Sequence, residues 1–408
     1  MTTTMTTVDN ILKEVLEPGL KEQLQSDTVT IKRIERSSEG VTNQVGGKYV
    51  RFPIRVKRNQ GIGARNENEA LPVAQTQGYE SAELQLKYLY GAIELTGQAF
   101  ELAESDPQTF VSALDQETDG MREGLAKDVN RQVYGLNRGV LTTATAAGTT
   151  TTMVTDNAQY LEIGMMVDVY DNTDTDGSNV LNTANVEITA IAEDTPTDDL
   201  YTITFGSAVV ATATGDFITR TGSRGKEKTG LQQILNTSGD FDALYNITHD
   251  IWTANIDDTS SAISEGRMIN MVDRIRRRGG KTTVIFMTLG VRRAYFNLLV
   301  QQRRYNDTQE FTGGFRGLAF TTDTGDIPVI SDFDCPPGTT WFLNEKEIKL
   351  YQAGDWSFIN RDGSNWQRKV TSAGTFDVFT AHLHKYCELG THRRNSHGVL
   401  ENVTEASL

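Results

Sequence analysis

The stretch 48–95 constrains this chain more than any other. Residues 48–58 alternate: Phe52, Ile54 and Val56 fall on one face, Arg51, Arg55 and Lys57 on the other. Residues 83–95 alternate again, with Leu84, Leu86, Tyr88 and Tyr90 on one face. Between them runs an excursion punctuated by Gly61, Gly63, Pro72 and Gly78, with few large apolar side chains. The pattern predicts two antiparallel strands joined by a long connection, an arm that is marginal by itself in water. Its charge is asymmetric. From Lys48 to Arg65 there are six basic residues and no acidic one; from Asn66 to Leu86 there are four acidic residues and no basic one. Such arms complement each other or the same element of a neighbouring copy, which makes Arg51, Arg55, Lys57, Arg58, Arg65, Glu67 and Glu69 candidate subunit-interface residues.

Charge divides the rest of the chain. Its 408 residues carry a net charge of −15, yet 139–219 holds twelve acidic residues and no Lys or Arg. A step that sharp marks a domain boundary. The segment 140–222 is Thr-rich, with short alternating runs such as LEIGMMVDVYD, NVEITAIAED and DLYTITFG, and predicts a small all-β module inserted into a host fold. The net charge argues against nucleic acid as a main partner, because phosphate binding needs clustered Lys and Arg. No apolar run is long enough to span a membrane, and the first residues lack the basic and apolar regions of a signal peptide. With two cysteines, Cys335 and Cys387, no disulfide framework is expected, and the reading is a soluble protein of a reducing compartment.

Other elements follow from periodicity. Residues 8–25 are amphipathic and helix-like, broken at Pro18-Gly19. Residues 107–136 predict a long helix, opened by Pro107, with one narrow stripe of Phe110, Leu114, Met121, Leu125, Val129 and Val133. One stripe predicts a helix lying across a surface. Residues 261–278 are helical with Ile263, Met271, Val272 and Ile275 inward; TTVIFMT (282–288) is a buried strand, and a helix runs from Val291 to about Gln302, together an α/β core. A meander closes the chain through IPVISDF, TTWFLN, EIKLYQ and FDVFTAHLHKY, and the polar tail after Arg394 reads as loose.

Candidate chemistry is thin. Gly61-x-Gly63 lacks the third glycine of a dinucleotide loop, since Asn66 stands there, and no helix follows. Gly225-Lys226 is followed by Glu227 instead of Ser or Thr, so it reads as a charged linker and not a P-loop. In DNTDTDG (171–177), Asn172, Asp174, Asp176 and Gly177 match a calcium loop, but Thr183 replaces its bidentate Glu, so Asp174 and Asp176 are weak metal candidates on a solvated hairpin tip. His382, His384, Cys387 and His392 are zinc-type ligands, yet the first two belong to a strand alternation. The cluster Arg274, Arg276, Arg277 and Arg278 precedes Gly279-Gly280, and three readings stand: cations suited to a helix C-terminus, a subunit contact through Arg276, Arg277 and Arg278, or a nucleic-acid contact. No G-x-S-x-G or H-E-x-x-H occurs, and no His lies beside a nucleophile, so neither catalysis nor a cofactor is expected.

The order of elements resembles the major capsid proteins of tailed phages, the Hong Kong 97-type fold shared with encapsulins. The stretch YVRFPIRVKRNQGIGARNENEALPVAQTQGYESAELQLKYLYGAIELTGQAFELAESDPQTF looks like that family's E-loop running into its spine helix, and KTTVIFMTLGVRRAYFNLLV like its A-domain strand and helix. The resemblance covers nearly the whole chain apart from 140–222. It implies an α+β chain: an N-terminal arm (1–47), the E-loop hairpin with P-domain strands (48–98), the spine helix (99–139), the inserted acidic module (140–222) on the outer face, an A-domain (223–340), and closing strands of both domains with the tail (341–408). The P-domain sheet would draw on 48–52, 90–98 and the meander.

It also implies a function: hexamers and pentamers closing into an icosahedral phage head around double-stranded DNA bound without sequence specificity. The shell would be assembled in the host cytoplasm, with a portal, a scaffold and, in some relatives, decoration proteins as partners. Some relatives carry a scaffolding region of about a hundred residues before the arm where this chain has about 40, so the scaffold is expected to be separate or the chain processed. Some crosslink a loop Lys to an Asn; the tip here, 59–78, has no Lys, so no crosslink is expected there. The alternatives are an encapsulin compartment, whose relatives generally lack so large an acidic insertion, and a nucleotide-dependent enzyme using Gly61 or Lys226.

Overall fold

A computed structural model describes residues 28–37, 49–98, 107–135, 138–172, 181–195, 200–210, 212–235, 252–303, 318–322, 325–360, 366–371 and 374–406. The helix expected over 8–25 lies outside them. Two mixed sheets, a long helix, a closed barrel and a projecting hairpin make up the rest.

The first sheet is built on one strand, Gly374–Thr391, 18 residues long. Lys87–Thr96 runs antiparallel to it from Cys387 to Val378, and Ile348–Gln352, Ser357–Phe358 and Trp366–Thr371 pair along the remainder. Glu35–Ser37 adds in parallel to Ile348–Gln352. The second sheet runs Asn255–Asp257, Gly398–Leu400, Thr340–Leu343, Val284–Met287, Gly325–Ser331, Leu318–Thr322. Val284–Met287 is buried at all four positions because helices and loops cover both faces. It pairs in parallel with Gly325–Ser331, and the helix Leu289–Arg303 lies in the crossover that a parallel pair requires. The helix Glu265–Arg277 buries Met268, Met271, Val272 and Ile275 on this sheet, the face the periodicity predicts.

The inserted module is a closed six-stranded antiparallel barrel, Phe217–Arg220, Val140–Ala146, Thr152–Thr155, Leu200–Phe205, Leu181–Thr195, Met166–Tyr170. It has its own core, with Met153, Val167, Val169, Ile188, Ile203 and Ile218 buried inside. Closure leaves no edge strand to pair with another chain. Buried acids pin its turns: Asp168 accepts the N–H groups of Asn185 and Gly222 (2.8 and 2.9 Å), Asp216 those of Asn172 and Ala213 (3.1 and 2.8 Å).

The long helix spans Pro107–Tyr134. Its stripe is real toward the C-terminal end, where Val129 and Val133 are buried, but the surface reading fails there. From Val129 to Tyr134 every side chain is buried, because these turns enter the main core beside Leu231, Ile234 and Trp341. Tyr134 packs 6.1 Å from the Trp341 ring.

Three further expectations are corrected. Alternation does not run unbroken through 83–95. Leu84 and Leu86 are buried, but then Leu89 and Ile93 are, while Tyr88 and Tyr90 are exposed. The chain leaves one partner for another at Leu86, and a one-residue change of parity swaps the faces. Residues 49–52 join no larger sheet; they bond only to Glu83–Gln85 and Ala82 across the hairpin. The closing segments are not one meander: Gly325–Ser331 and Thr340–Leu343 enter the second sheet, Ile348–Gln352 and Gly374–Thr391 the first.

The tail is not loose. Arg394, Ser396, His397 and Gly398–Leu400 are buried, and Gly398–Leu400 bonds between Asn255–Asp257 and Thr340–Leu343. A polar composition misled, because the polar groups are satisfied: Arg394 donates to the Ile234 carbonyl, and His397 is bonded on both ring nitrogens.

Candidate functional site

The hairpin Tyr49–Lys57 with Gly78–Gln85 roots Val50, Ala82 and Leu84 in the main core, and its outer half and tip reach past it. Nine residues at about 3.3 Å each carry it roughly 30 Å, and 58–77 continue beyond. The excursion stays narrow. A Cβ on Gly61 would come within 2.9 Å of the Val73 carbonyl and 3.1 Å of the Gln75 nitrogen, so only glycine lets the two sides run this close. The tip is a built turn. The Glu69 N–H donates to the Asn66 carbonyl (3.2 Å), the Glu69 carboxylate accepts the Asn66 N–H (2.8 Å), and Arg65 donates to the Ala70 carbonyl (2.8 Å). Asn68 takes the left-handed conformation (φ 62°) that such a turn needs.

These contacts sort the arm candidates. Arg51 pairs with Glu83 across the hairpin at 2.6 Å. Arg65 and Glu69 are spent within the tip. Arg55, Lys57, Arg58 and Glu67 are exposed and form no ion pair or hydrogen bond among the described residues. Periodicity missed a second feature of the arm, its apolar edge. Ile62, Leu71 and Val73 are 87%, 82% and 78% exposed, too much apolar surface on one loop for a chain that works alone.

The other candidates disperse. Asp174, Asp176 and Gly177 lie outside the described residues. His382 is exposed and His384 half-buried on one face of Gly374–Thr391, while Cys387 is buried on the other, and His392 bonds Tyr351 (2.8 Å). Among the described residues no cluster of three or more His, Cys, Asp or Glu could hold a metal. Arg274 donates to the Ile256 carbonyl (3.0 Å), and Arg278 to those of Thr253 and Ala254 (3.0 and 3.1 Å). Arg276 and Arg277 stand exposed on the last turn of their helix. Lys226 donates to the Gly222 carbonyl (2.7 Å), far from any phosphate cradle.

The fold and the arm can now be set beside known proteins. Residues 201–384 match the family model described as SU10 major capsid protein. The solved capsid of cyanophage A-1(L) matches with a TM-score of 0.58 at 13% identity, covering 99% of this chain and 100% of that one. The capsid of a native GTA particle matches at 0.50 and 10%, covering 98% and 99%. The chain has the fold of these solved capsids, and 201–384 also matches the pattern of a major capsid family. An encapsulin from Synechococcus elongatus aligns less well, with a TM-score of 0.42 at 7% identity over 100% and 99% of the two chains. No curated protein sequence matches significantly.

The chain holds two buried polar knots that its sequence pattern concealed. The first roots the barrel. Residues 225–229 looked like a charged linker, yet Glu227, Lys228 and Thr229 are buried. Arg131 of the long helix donates to Asp128 (3.0 Å) and to Glu227, and Lys228 donates to the Val129 carbonyl. Burial pushes the Asp128 carboxyl up, but Arg131, Arg220 and hydrogen bonds from Arg131 and Gln132 more than reverse it, so it stays ionised. At Glu227 burial prevails and the pKa is raised. Gly230 crosses Gly135 so closely that a Cβ would meet the Gly135 carbonyl at 2.3 Å.

The second knot holds the short helix Val29–Arg33. Its first N–H groups have no partner of their own, so Asp332 accepts from Thr30 N–H (3.1 Å) and Asn130 from Ile31 N–H (3.0 Å). Asn130 in turn donates to Asp334, whose pKa burial raises. Two helices and the loop after Gly325–Ser331 are thereby tied through a single patch beneath Tyr134.

Proposed function

We propose that copies of this capsid protein form hexamers and pentamers that close into an icosahedral head around double-stranded DNA. The observation that carries this reading is the arm: about 30 Å of two-stranded hairpin ending in exposed Ile62, Leu71 and Val73, beside cations Arg55, Lys57 and Arg58 whose side chains form no ion pair or hydrogen bond among the described residues. In this reading 1–47 is the N-terminal arm, 48–98 the reaching hairpin with its sheet strand, 99–139 the spine, 140–222 the outward insertion, 223–340 the domain at the capsomer centre, and 341–408 the strands that close both. Arg51, Arg65, Glu67 and Glu69 shape or flank the hairpin contact, and Arg276, Arg277 and Arg278 sit at a second subunit contact.

The net charge of −15 supports DNA held without sequence-specific grip, since an acidic protein does not neutralise the phosphate backbone. The protein has no catalytic role, is assembled in the host cytoplasm, and works with a separate scaffold, a portal and decoration proteins. Electron microscopy of the purified chain, with and without a scaffolding protein, is expected to show closed shells. A chain that remains monomeric under every such condition overturns the proposal.

A further inference from the structure

The barrel carries an uncovered apolar corner of its own. Ile163 and Met166 are 68% and 40% exposed, three positions apart and on the border of one hollow. The corner is rigid: Gly164 donates to the Ile188 carbonyl (2.7 Å), Ile188 to the Met165 carbonyl (3.0 Å), and Met165 to that of Glu162 (3.2 Å). Met166 stands opposite Glu187 on the adjacent strand. Glu162, Ile163, Met165, Met166 and Arg220 border an open hollow of about 590 Å³. Glu162 and Glu187 are exposed and their carboxylates form no ion pair or hydrogen bond among the described residues. Arg220 is tied to Asp128 at 3.8 Å, so the free charge of the rim is negative.

The arm is the converse surface. Ile62, Leu71 and Val73 are apolar and bare, and Arg55, Lys57 and Arg58 beside them are unpaired cations. The whole run from Lys48 to Arg65 has six bases and no acid, where 139–219 has twelve acids and no base. Barrel against barrel or arm against arm sets like charges together; arm against barrel sets apolar on apolar with opposite charges at the rim. Among the described residues nothing covers either surface.

We infer that the barrel corner of one copy is the seat for the arm of a second copy. Ile62, Leu71 and Val73 cover Ile163 and Met166, and Arg55, Lys57 and Arg58 face Glu162 and Glu187. This rests on the shell reading above and names the surface the arm grips. The acidic insertion is then an assembly clamp, and its exposed Glu162 and Glu187 are the counterpart of the basic arm.

Two measurements test it on the full chain. In a Val73→Cys/Ile163→Cys variant, the native Cys335 and Cys387 stay buried and out of reach. Oxidised particles are expected to give disulfide-linked multimers on a non-reducing gel, and the unassembled chain none. Separately, Arg55→Glu with Arg58→Glu is expected to lower the yield of particles about tenfold, and adding Glu162→Arg with Glu187→Arg to restore it to within about threefold. Particles without interchain disulfides, a bridge formed within single chains, or a charge swap that fails to rescue overturns the docking and leaves the shell reading standing. An unaltered chain that forms no particles removes both.

Discussion

His397 is fully buried and bonded at both ring nitrogens. Its Nδ1 accepts the Asn344 N–H (3.1 Å), which leaves Nε2 to donate to the Thr391 hydroxyl at 3.0 Å. Burial, helped by Arg393, pushes its pKa down from 6.5 to about 3. The unfolded chain therefore binds a proton in that window and the folded chain does not. The stability contributed by neutral His397 is complete above about pH 6.5 and is lost as the pH falls toward 3, on the order of 3 kcal/mol by pH 4. Thermal melts of the unassembled protein are expected to decline between pH 6.5 and 4. A His397→Gln variant should start lower and decline less over the same range; an equally steep decline assigns the effect elsewhere. Glu388 has the opposite sign. Its carboxyl accepts the Thr229 and Leu389 N–H groups (2.7 and 2.9 Å), yet burial raises its pKa from 4.5 to about 8. The folded state prefers the proton, so this contribution is full below pH 4.5 and disappears as the pH rises through 8. Glu388→Gln keeps the accepting oxygen. Urea unfolding should show it close to the parent at pH 5 and about 1–3 kcal/mol more stable at pH 8; lower stability at both would refute the assignment. Both residues sit in ordinary strand or tail patterns, and a pattern of residue types carries no record of how deeply a polar group is buried.

The long helix gives the same lesson for an element. Its spacing of Met121, Leu125, Val129 and Val133 is legible in the sequence, as is Pro107 at its start. What makes its last turns central is Arg131, on the polar side of that stripe. Replacing Arg131 with Ala leaves Glu227 buried without its cation and is expected to cost about 3–5 kcal/mol, read as a shift in the urea midpoint. Arg131→Met combined with Glu227→Leu and Asp128→Asn should recover most of that loss, since both carboxylates that Arg131 pairs with are then removed together with it. If the triple variant is as unstable as the single one, the cluster contributes more than mutual satisfaction. The arm divides similarly. Alternation predicts the first strand, but the partner expected over 83–95 is Gly78–Gln85, and most of 83–95 belongs to a strand of the first sheet. Alternation did not show that Arg51, Arg65 and Glu69 are used within the hairpin, because a turn's hydrogen bonds depend on backbone path and not on residue type alone.

At the scale of the whole molecule, the barrel is nearly a protein within the protein. It has a separate core, and its first and last strands, Val140–Ala146 and Phe217–Arg220, are paired side by side. Gly139 lies close enough to Ser223 that a Cβ would meet its carbonyl at 3.3 Å, so excision of 140–222 with direct closure leaves little gap. Residues 138–224 expressed alone are expected to unfold in one cooperative transition with dispersed amide NMR signals. The excised remainder should keep its sheets and lose some stability through exposure of Arg131 and Glu227. A barrel fragment that is unfolded alone would show that its root knot is part of its own folding unit.

The sequence by itself determined the α+β make-up, the reaching hairpin, the long helix and the all-β nature of the cation-free insertion, because each is carried by periodicity or composition over many residues. Only the tertiary structure decided which sheet each closing strand joins, that the tail from Arg394 to Val403 is core, and that Glu227 and Lys228 are buried. Those outcomes depend on partners more than a hundred residues away: Arg394 with Ile234, Gly398 with Asn255, Glu227 with Arg131 only just short of that distance. A charged or polar side chain can be buried wherever a distant group satisfies it, and local pattern cannot see that group.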